Sequence, residues 1–230
     1  MLKQIFGLVP AGGVGARMRA DRPKQYLPLG SRTLLERSVD CLLVDARVVR
    51  AFIVVARDDA WAAALRLPAR CEILVGAGAT RAETVRNGLR MIQGIAASED
   101  WVLVHDAARP CLEAAELAAL IDEGGSDEHG GLLAVPVSDT VKRAYEGRVA
   151  QTVERTGLWR ALTPQFFRFD VLRQALEQSA NAMLATDEAA AVERLGLHPR
   201  LIEGSVSNIK VTTGADLRLA EAVLRQQGRW

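Results

Sequence analysis

A cluster of glycines near the N-terminus is followed by two basic side chains. Gly12, Gly13 and Gly15 follow a short apolar run, and Arg17 and Lys24 come next, seven residues apart. Glycine lets backbone N–H groups approach a phosphate closely, and successive N–H groups form a concave anion site. An arginine and a lysine beside such a loop suit a polyphosphate whose charge rises during a reaction. A tight turn with two solvated basic residues is the alternative, and the glycines alone leave both open.

The loop departs from two well-known phosphate-binding patterns. A Walker A loop requires Gly-Lys-Ser/Thr, but here Lys24 follows Pro23. A dinucleotide-binding fingerprint requires a third glycine where Met18 stands. The sequence therefore favours a phosphate site of a different kind.

Asp106 is the second candidate, because it ends the apolar run WVLVHD. A carboxylate at the end of a buried strand is well placed to hold Mg²⁺ against phosphate oxygens, since Mg²⁺ usually takes only one or two protein carboxylates. A helix N-cap or an ion pair with Arg109 is the alternative, and we predict the magnesium role. The three histidines are scattered along the chain and indicate no metal site.

Apolar runs alternate with helical patterns, and these elements must position the candidate residues. The patterns predict strands at 4–9, 51–56, 71–75, 101–106, 131–137, 200–204 and 208–212. They predict helices at 33–43, 58–66, 81–97, 113–123, 170–180, 187–195 and 215–227. Such alternation predicts an α/β fold, a mostly parallel sheet with helices on both faces. Ligands of such sheets bind beyond the carboxyl ends of the strands.

The alternation breaks at residues 138–165, which lack the helical face that a crossover needs. Alternating Thr, Val and Arg surround a turn at Glu146–Gly147, and we predict a β-hairpin standing off the main sheet. An isolated hairpin is marginally stable unless it packs on something. The segment therefore predicts a β-arm that clasps a second subunit, with an ordinary solvated hairpin as the alternative.

Composition and charge exclude several classes of protein. Lys and Arg total 29, Asp and Glu total 28, and 49% of residues are hydrophobic, as in ordinary globular proteins. A net charge of +1 argues against bulk binding to nucleic acid or membrane. Three widely spaced cysteines predict reduced thiols, and no secretory signal or 18-residue apolar run is present. We expect one cytoplasmic domain spanning residues 1–230, with no nucleic-acid or membrane partner.

The loop PAGGVGARM followed by RPKQYL resembles the signature of nucleotidyltransferases that activate sugars and alcohols with CTP or UTP. Further segments are similar to the 2-C-methyl-D-erythritol 4-phosphate cytidylyltransferase family: VHDAARP, DTVKR, TVERTGLWRALTPQ, TDEA and EGSVSNIKVT. The resemblance runs in unbroken order from about residue 6 to residue 224. Gly12 and Thr84 depart from the family pattern, which usually has alanine and serine there.

This resemblance implies a Rossmann-like fold of the nucleotide-diphospho-sugar transferase type, and a homodimer formed through the β-arm. It implies that CTP and methylerythritol 4-phosphate give cytidine diphosphate-methylerythritol and pyrophosphate, with Mg²⁺ or another divalent cation. No covalent enzyme intermediate is needed, because catalysis is positioning and charge stabilisation. A ribitol 5-phosphate cytidylyltransferase and a non-catalytic nucleotide-binding regulator are the alternatives. At 230 residues we expect no room for a fused second enzyme.

The resemblance also assigns roles to residues. Arg17 and Lys24 would stabilise the transition state and the leaving pyrophosphate, and Lys210 would hold the two reacting phosphates together. Arg155, joined by Thr140, would reach the neighbouring subunit's site and grip the acceptor phosphate, a task suited to the bidentate guanidinium.

The remaining assignments concern the nucleotide and the acceptor hydroxyls. Asp106 and Thr186 would contact the hydroxyls of methylerythritol phosphate. The nucleotide would contact backbone groups and one hydroxyl, at Ala11, Gly12, Gly13, Gly15, Gly78 and Thr84.

Overall fold

The computed structural model describes residues 3–13, 21–178 and 186–230. Its strands are β1 Ile5–Pro10, β2 Pro28–Leu29, β3 Arg32–Thr33, β4 Val48–Val55, β5 Cys71–Val75, β6 Trp101–Val104, β7 Gly131–Pro136, β8 Val141–Tyr145, β9 Arg148–Val153, β10 Trp159–Arg168 and β11 Arg200–Glu203. Its helices are α1 Leu34–Asp40, α2 Arg81–Ile92, α3 Ala114–Gly125, α4 Phe169–Gln178, α5 Glu188–Glu193 and α6 Gly214–Gln226. Short 3-10 turns lie at Lys24–Tyr26 and Ala62–Ala64.

The main sheet has seven strands in the order β11-β7-β10-β6-β1-β4-β5. Only β10 runs antiparallel to its neighbours β6 and β7, and the other pairs are parallel. The predicted mostly parallel sheet is therefore confirmed. The carboxyl ends of β1, β5 and β6 meet at one edge of the sheet, and the predicted site residues follow these strands.

Successive side chains of a strand point to opposite faces of the sheet, and apolar side chains build a core on each face. In β4, Ile53 packs beneath α1 and α3, whereas Phe52 and Val54 face α2 and α4. All three side chains are fully buried, which explains why this strand is a continuous apolar run. Within the described residues, no helix combines the length and apolar character needed to cross a bilayer.

Two predicted elements are absent. The helix predicted at 58–66 is only the 3-10 turn Ala62–Ala64, because the Asp59 carboxylate accepts hydrogen bonds from the backbone of Trp61 and Ala62 and forms a turn instead. The strand predicted at 208–212 was also wrong. This segment leaves the sheet, and its Val211 N–H donates to the carbonyl of Ala108.

The hairpin predicted off the main sheet is formed by β8 and β9, which make a separate two-stranded sheet. Its turn lies at Glu146 and Gly147, as predicted, and both residues have positive φ, 48° and 75°. The predicted segment 138–165 extended too far, because β10 begins at Trp159 and joins the main sheet. The buried run LTPQFF within β10 accounts for this difference.

Candidate active site

A cavity of about 400 Å³ opens at the carboxyl edge of the sheet. Its walls come from the first glycine loop, the loop before α2, the residues after β6 and the segment around Lys210. Predicted site residues that line it are Ala11, Gly12, Gly13, Lys24, Gly78, Thr84, Asp106 and Lys210. Four segments that are distant in sequence therefore meet where the sequence predicted a nucleotide site.

Other predicted residues lie elsewhere. Arg155 and Thr140 are exposed beside the hairpin and do not line the cavity, and Arg155 donates a hydrogen bond to the Ser138 carbonyl. Thr186 is exposed just before α5 and also lies outside the cavity wall. Predicted residues outside the described ranges are Gly15 and Arg17.

Lys24 is held by the turn that follows the first loop. Its Nζ donates to the Val211 carbonyl at 2.8 Å, which places it beside the segment that carries Lys210. The adjacent Gln25 is 4% exposed and donates to the carbonyls of Ala11 at 2.7 Å and Gly13 at 2.9 Å. Gln25 thereby ties the glycine loop to the turn that presents Lys24.

Two glycines of the cavity wall, Gly12 and Gly78, leave no room for a side chain, and we call the wall that they form with Thr84 the nucleotide wall after its predicted role. A Cβ on Gly12 would lie 2.2 Å from the Cβ of Ala77, so the methyl of Ala77 occupies the space that an alanine at position 12 would need. A Cβ on Gly78 would lie 2.4 Å from the Cβ of Glu83. Gly12 replaces the alanine that the family usually has, and Ala77 fills the space that this alanine would need.

Thr84 fixes the wall from within. Its buried hydroxyl accepts from the Gly78 N–H at 3.1 Å and donates to the Thr80 carbonyl at 2.9 Å. Thr80 in turn caps α2 through a capping box with Glu83. The departure from serine at position 84 therefore keeps a hydroxyl that shapes the loop before α2.

Asp106 is buried and lies at the centre of an ion cluster. Its Oδ1 accepts from Arg81 Nε at 2.8 Å, and its Oδ2 lies 2.8 Å from Lys210 Nζ and 3.5 Å from Arg109 Nε. Arg81 also forms a bidentate pair with Glu188 at 2.6 and 3.1 Å. Asp106 and Glu188 together face three cationic side chains, so the cluster keeps an excess positive charge at the cavity floor.

The cations fix the protonation state of Asp106. Burial alone would raise its pKa, but Arg81 and Lys210 outweigh burial and hold the pKa well below its ordinary value. An ionised carboxylate that borders a cavity matches the donor chemistry of Mg²⁺. The described residues contain no group of three or more potential metal-ligating side chains. Asp106 is therefore a carboxylate that would suit a Mg²⁺ ion, which usually takes only one or two protein carboxylates.

The segment before Lys210 is pinned to the loop after β6. Asn208 is buried, donates to the Thr163 carbonyl at 2.9 Å, and its own carbonyl accepts from Arg109 at 2.6 Å. These bonds position Lys210 beside Asp106. They also show why the segment is not a strand, because its backbone is held by side chains and loops.

His105 lies beneath Asp106 on the opposite side of the backbone. Its Nε2 lies 2.9 Å from the Arg109 carbonyl, which can only accept, so Nε2 carries the proton. Its Nδ1 then accepts from the Thr163 hydroxyl at 3.0 Å, and that hydroxyl accepts from the Asp106 N–H at 3.0 Å. This chain of hydrogen bonds fixes the backbone that carries Asp106.

His105 should make folding stability depend on pH. Burial is the main cause that lowers its pKa to about 4, against an ordinary value of 6.5. The unfolded chain therefore binds a proton that the folded protein excludes, and this stability is present above pH 6.5 and lost as pH falls towards 4. We expect His105→Gln to reduce the difference in unfolding free energy between pH 7 and pH 4 by up to about 3 kcal/mol.

Chemical denaturation at both pH values measures this difference. His129→Gln is the matched control, because His129 lies outside this chain of hydrogen bonds. An equal pH dependence in wild type and His105→Gln would contradict the assignment.

The sequence analysis missed several residues that hold the site together, namely Gln25, Arg81, Asn208 and Glu188. It named Arg109 only as an alternative ion-pair partner of Asp106, and the two side chains do lie 3.5 Å apart. Arg81 directly follows the glycine-containing GAGAT segment at a helix start. A basic residue in that place was a usable signal. Nothing in the spacing of Arg81 and Glu188, 107 residues apart, indicated that they would meet.

The family model for 2-C-methyl-D-erythritol 4-phosphate cytidylyltransferase matches residues 5–226 of this chain. The chain belongs to this family. A relative of that name from Laribacter hongkongensis (strain HLHK9) is 53% identical over 226 residues, which cover 97% of each chain. Another relative, from Dechloromonas aromatica (strain RCB), is 49% identical and covers 96% of this chain and 97% of its own length. Family membership confirms the resemblance and makes the chain a nucleotidyltransferase of isoprenoid biosynthesis.

The fold comparison agrees. A crystal structure of 4-diphosphocytidyl-2C-methyl-D-erythritol synthase matches with a TM-score of 0.86 and 40% identity, covering 97% of this chain and 99% of its own. The cytidylyltransferase from Francisella tularensis matches with a TM-score of 0.84 and 33% identity, covering 96% of this chain and 100% of its own. The cytidylyltransferase family thus shares the mostly parallel sheet described above.

Proposed function

We propose that this enzyme transfers the cytidylyl group of CTP to 2-C-methyl-D-erythritol 4-phosphate and releases pyrophosphate. Family membership over residues 5–226 supports the reaction. The observation that carries the site assignment is the single cavity that joins the glycine loop, Lys24, Asp106 and Lys210. This cavity offers the backbone of Gly12 and Gly13 for a nucleotide and the ammonium groups of Lys24 and Lys210 for its phosphates.

The reaction is an in-line displacement. An oxygen of the acceptor phosphate forms a bond to the α-phosphorus of CTP, and the bond from that phosphorus to the pyrophosphate oxygen breaks. Negative charge accumulates on the α-phosphate and on the leaving group, where Lys24 and, by family resemblance, Arg17 stabilise it. Lys210 is 41% exposed, which allows its ammonium to exchange Asp106 for a phosphate oxygen. Lys210 then holds the two reacting phosphates together.

Asp106 would hold Mg²⁺ at the cavity, and the bound ion would neutralise charge on the phosphate oxygens. The low pKa of Asp106 supports this role, because the carboxylate stays ionised at any pH at which the enzyme works. Asp106 and Thr186 also serve the acceptor hydroxyls in this proposal.

In this proposal the β8–β9 hairpin forms the contact between the two subunits of a homodimer. The enzyme works in the cytoplasm. Tyr145 and Val149 on the hairpin are 70% and 67% exposed, and such side chains are stabilised by a partner surface. Arg155 and Thr140 lie beside this hairpin and outside the cavity of their own chain. They complete the acceptor site of the second subunit, where Arg155 binds the phosphate.

Ribitol 5-phosphate is the competing acceptor, because it presents the same phosphate and a similar row of hydroxyls. We expect pyrophosphate release to be faster with methylerythritol 4-phosphate than with ribitol 5-phosphate at equal CTP. Coupled pyrophosphate detection with each acceptor measures this directly. Faster turnover with ribitol 5-phosphate would overturn the acceptor assignment, and tight CTP binding with no pyrophosphate from either acceptor would favour a regulator.

A further inference from the structure

Next to Asp106 lies an ion pair between the partly buried Arg81, which lines the cavity, and the buried Glu188, and neither the family resemblance above nor the mechanism assigns a role to this pair. Glu188 is 1% exposed and does not line the cavity. Its two carboxylate oxygens accept from Arg81 Nη1 at 2.6 Å and Nη2 at 3.1 Å. The third guanidinium nitrogen, Nε, donates to Asp106 at 2.8 Å. Every nitrogen of Arg81 is therefore committed to one of two carboxylates.

The geometry requires an arginine. A planar guanidinium can hold one carboxylate by its two terminal nitrogens while its Nε points to another, whereas a lysine offers a single point of charge. Burial would lower the pKa of Arg81, but Glu188 and Asp106 outweigh burial and raise it. The charge of Arg81 is thus balanced inside the protein, and Asp106 is held from the side opposite Lys210.

Arg81 connects α2, the loop after β6 and the start of α5, which serve the nucleotide and the acceptor in the proposed function. It is the first residue of α2, directly after the loop of Gly78 that lines the nucleotide wall. Asp106 follows β6, and Glu188 is the first residue of α5, two residues after Thr186. Gln165 of β10 reinforces the start of α5, donating to Asp187 at 2.9 Å and accepting from the Ala189 N–H at 2.8 Å.

We propose that Arg81 is a positioning residue, anchored by Glu188, that fixes Asp106 and the start of α5 relative to the nucleotide wall. The proposal rests on the function above, in which Asp106 and Thr186 serve the acceptor. Arg81 acts through Asp106, and Glu188 acts through Arg81. Without Glu188, the guanidinium would be a partly unbalanced cation at the cavity floor and would draw a phosphate away from Lys210.

Two conservative variants and one control test the proposal kinetically. Arg81→Lys keeps the charge and removes the fork, and Glu188→Gln keeps the size and removes the anchor. We expect each to lower kcat/KM for the acceptor by about 10²-fold, while Kd for CTP changes by less than about threefold. Arg90→Lys is the matched control, because Arg90 lies on the same helix and pairs with Glu177 at 3.7 Å, away from the cavity. Its kinetics should equal those of wild type.

Acceptor kinetics within threefold of wild type in folded Glu188→Gln would overturn the proposal. Parallel losses in CTP binding and in acceptor kinetics would also overturn it, because they would indicate general disruption. Thermal unfolding of each variant establishes which of them are folded.

Amide hydrogen exchange without substrates gives a test that needs no turnover. We expect faster exchange in Glu188→Gln at residues 105–109 and at the start of α5, with unchanged exchange in α6. Unchanged exchange at both segments would overturn the positioning role. Wild-type enzyme assayed beside the variants separates the two claims, because an inactive wild type would refute the proposed function while hydrogen exchange still decides the role of Arg81.

Discussion

Lys24→Ala should lower kcat by about 10²- to 10³-fold while Kd for CTP changes by less than about tenfold. Lys24 lines the cavity beside the Lys210 segment, and in the proposed reaction it stabilises the charge that accumulates on the leaving pyrophosphate. An interaction that strengthens in the transition state appears mainly in kcat, and uniform binding appears in KM. Initial rates at saturating CTP and acceptor, with calorimetric binding of CTP, separate the two.

Lys3→Ala is the control for this substitution, because Lys3 pairs with Glu99 at the opposite edge of the sheet. It should leave both constants unchanged. A loss in Lys24→Ala confined to KM, with kcat retained, would contradict the transition-state role of Lys24.

The second large effect concerns Arg155, which the structure places outside its own cavity. Arg155→Ala and Lys24→Ala should each be nearly inactive alone, because each removes one group from both sites of the proposed symmetric dimer. After mixing and subunit exchange, a heterodimer pairs an intact cavity with an intact arm in one of its sites. Random exchange should therefore restore about a quarter of wild-type activity.

This recovery is specific to a site shared between subunits. Size-exclusion chromatography of differently tagged subunits establishes that exchange has occurred. Mixing Lys24→Ala with Lys210→Ala is the control, because both changes lie in the same cavity and no heterodimer regains an intact site. Verified exchange without recovery in the first mixture would show that Arg155 does not act across the interface.

The parts of the fold that could be predicted from the sequence are those determined by the local pattern of apolar residues. The continuous apolar runs of β4 and β7 predict strands, because a strand that is buried on both faces needs apolar side chains throughout. The prediction of a strand at 208–212 was wrong because groups distant in sequence hold that segment instead, namely the Arg109 guanidinium and the Thr163 carbonyl. The end of the arm was misplaced for a related reason, since β10 continues from exposed Trp159 into the buried run 162–167.

In the site, too, local sequence pattern predicted some features and contacts between distant residues decided the others. Glycines and basic residues near a strand end favour a phosphate loop but leave a solvated turn as an alternative, and Gly12, Gly13 and Lys24 line the cavity. The partners of Asp106 depend on the order of the strands and the packing of α5, which single-sequence patterns do not reveal. Arg81 and Glu188 meet only because α2 and α5 lie on the same face of the sheet.

In the proposed reaction, the acceptor phosphate attacks the α-phosphorus of CTP. Methylerythritol 4-phosphate labelled with ¹⁸O in its phosphate, turned over with unlabelled CTP and followed by ³¹P NMR, tests it most directly. Attack on the α-phosphorus should give a cytidine diphosphate product with an isotope shift on both phosphorus resonances, because a labelled oxygen bridges them. The pyrophosphate should be unlabelled. Labelled pyrophosphate, or cytidine monophosphate in place of a diphosphate product, would contradict it.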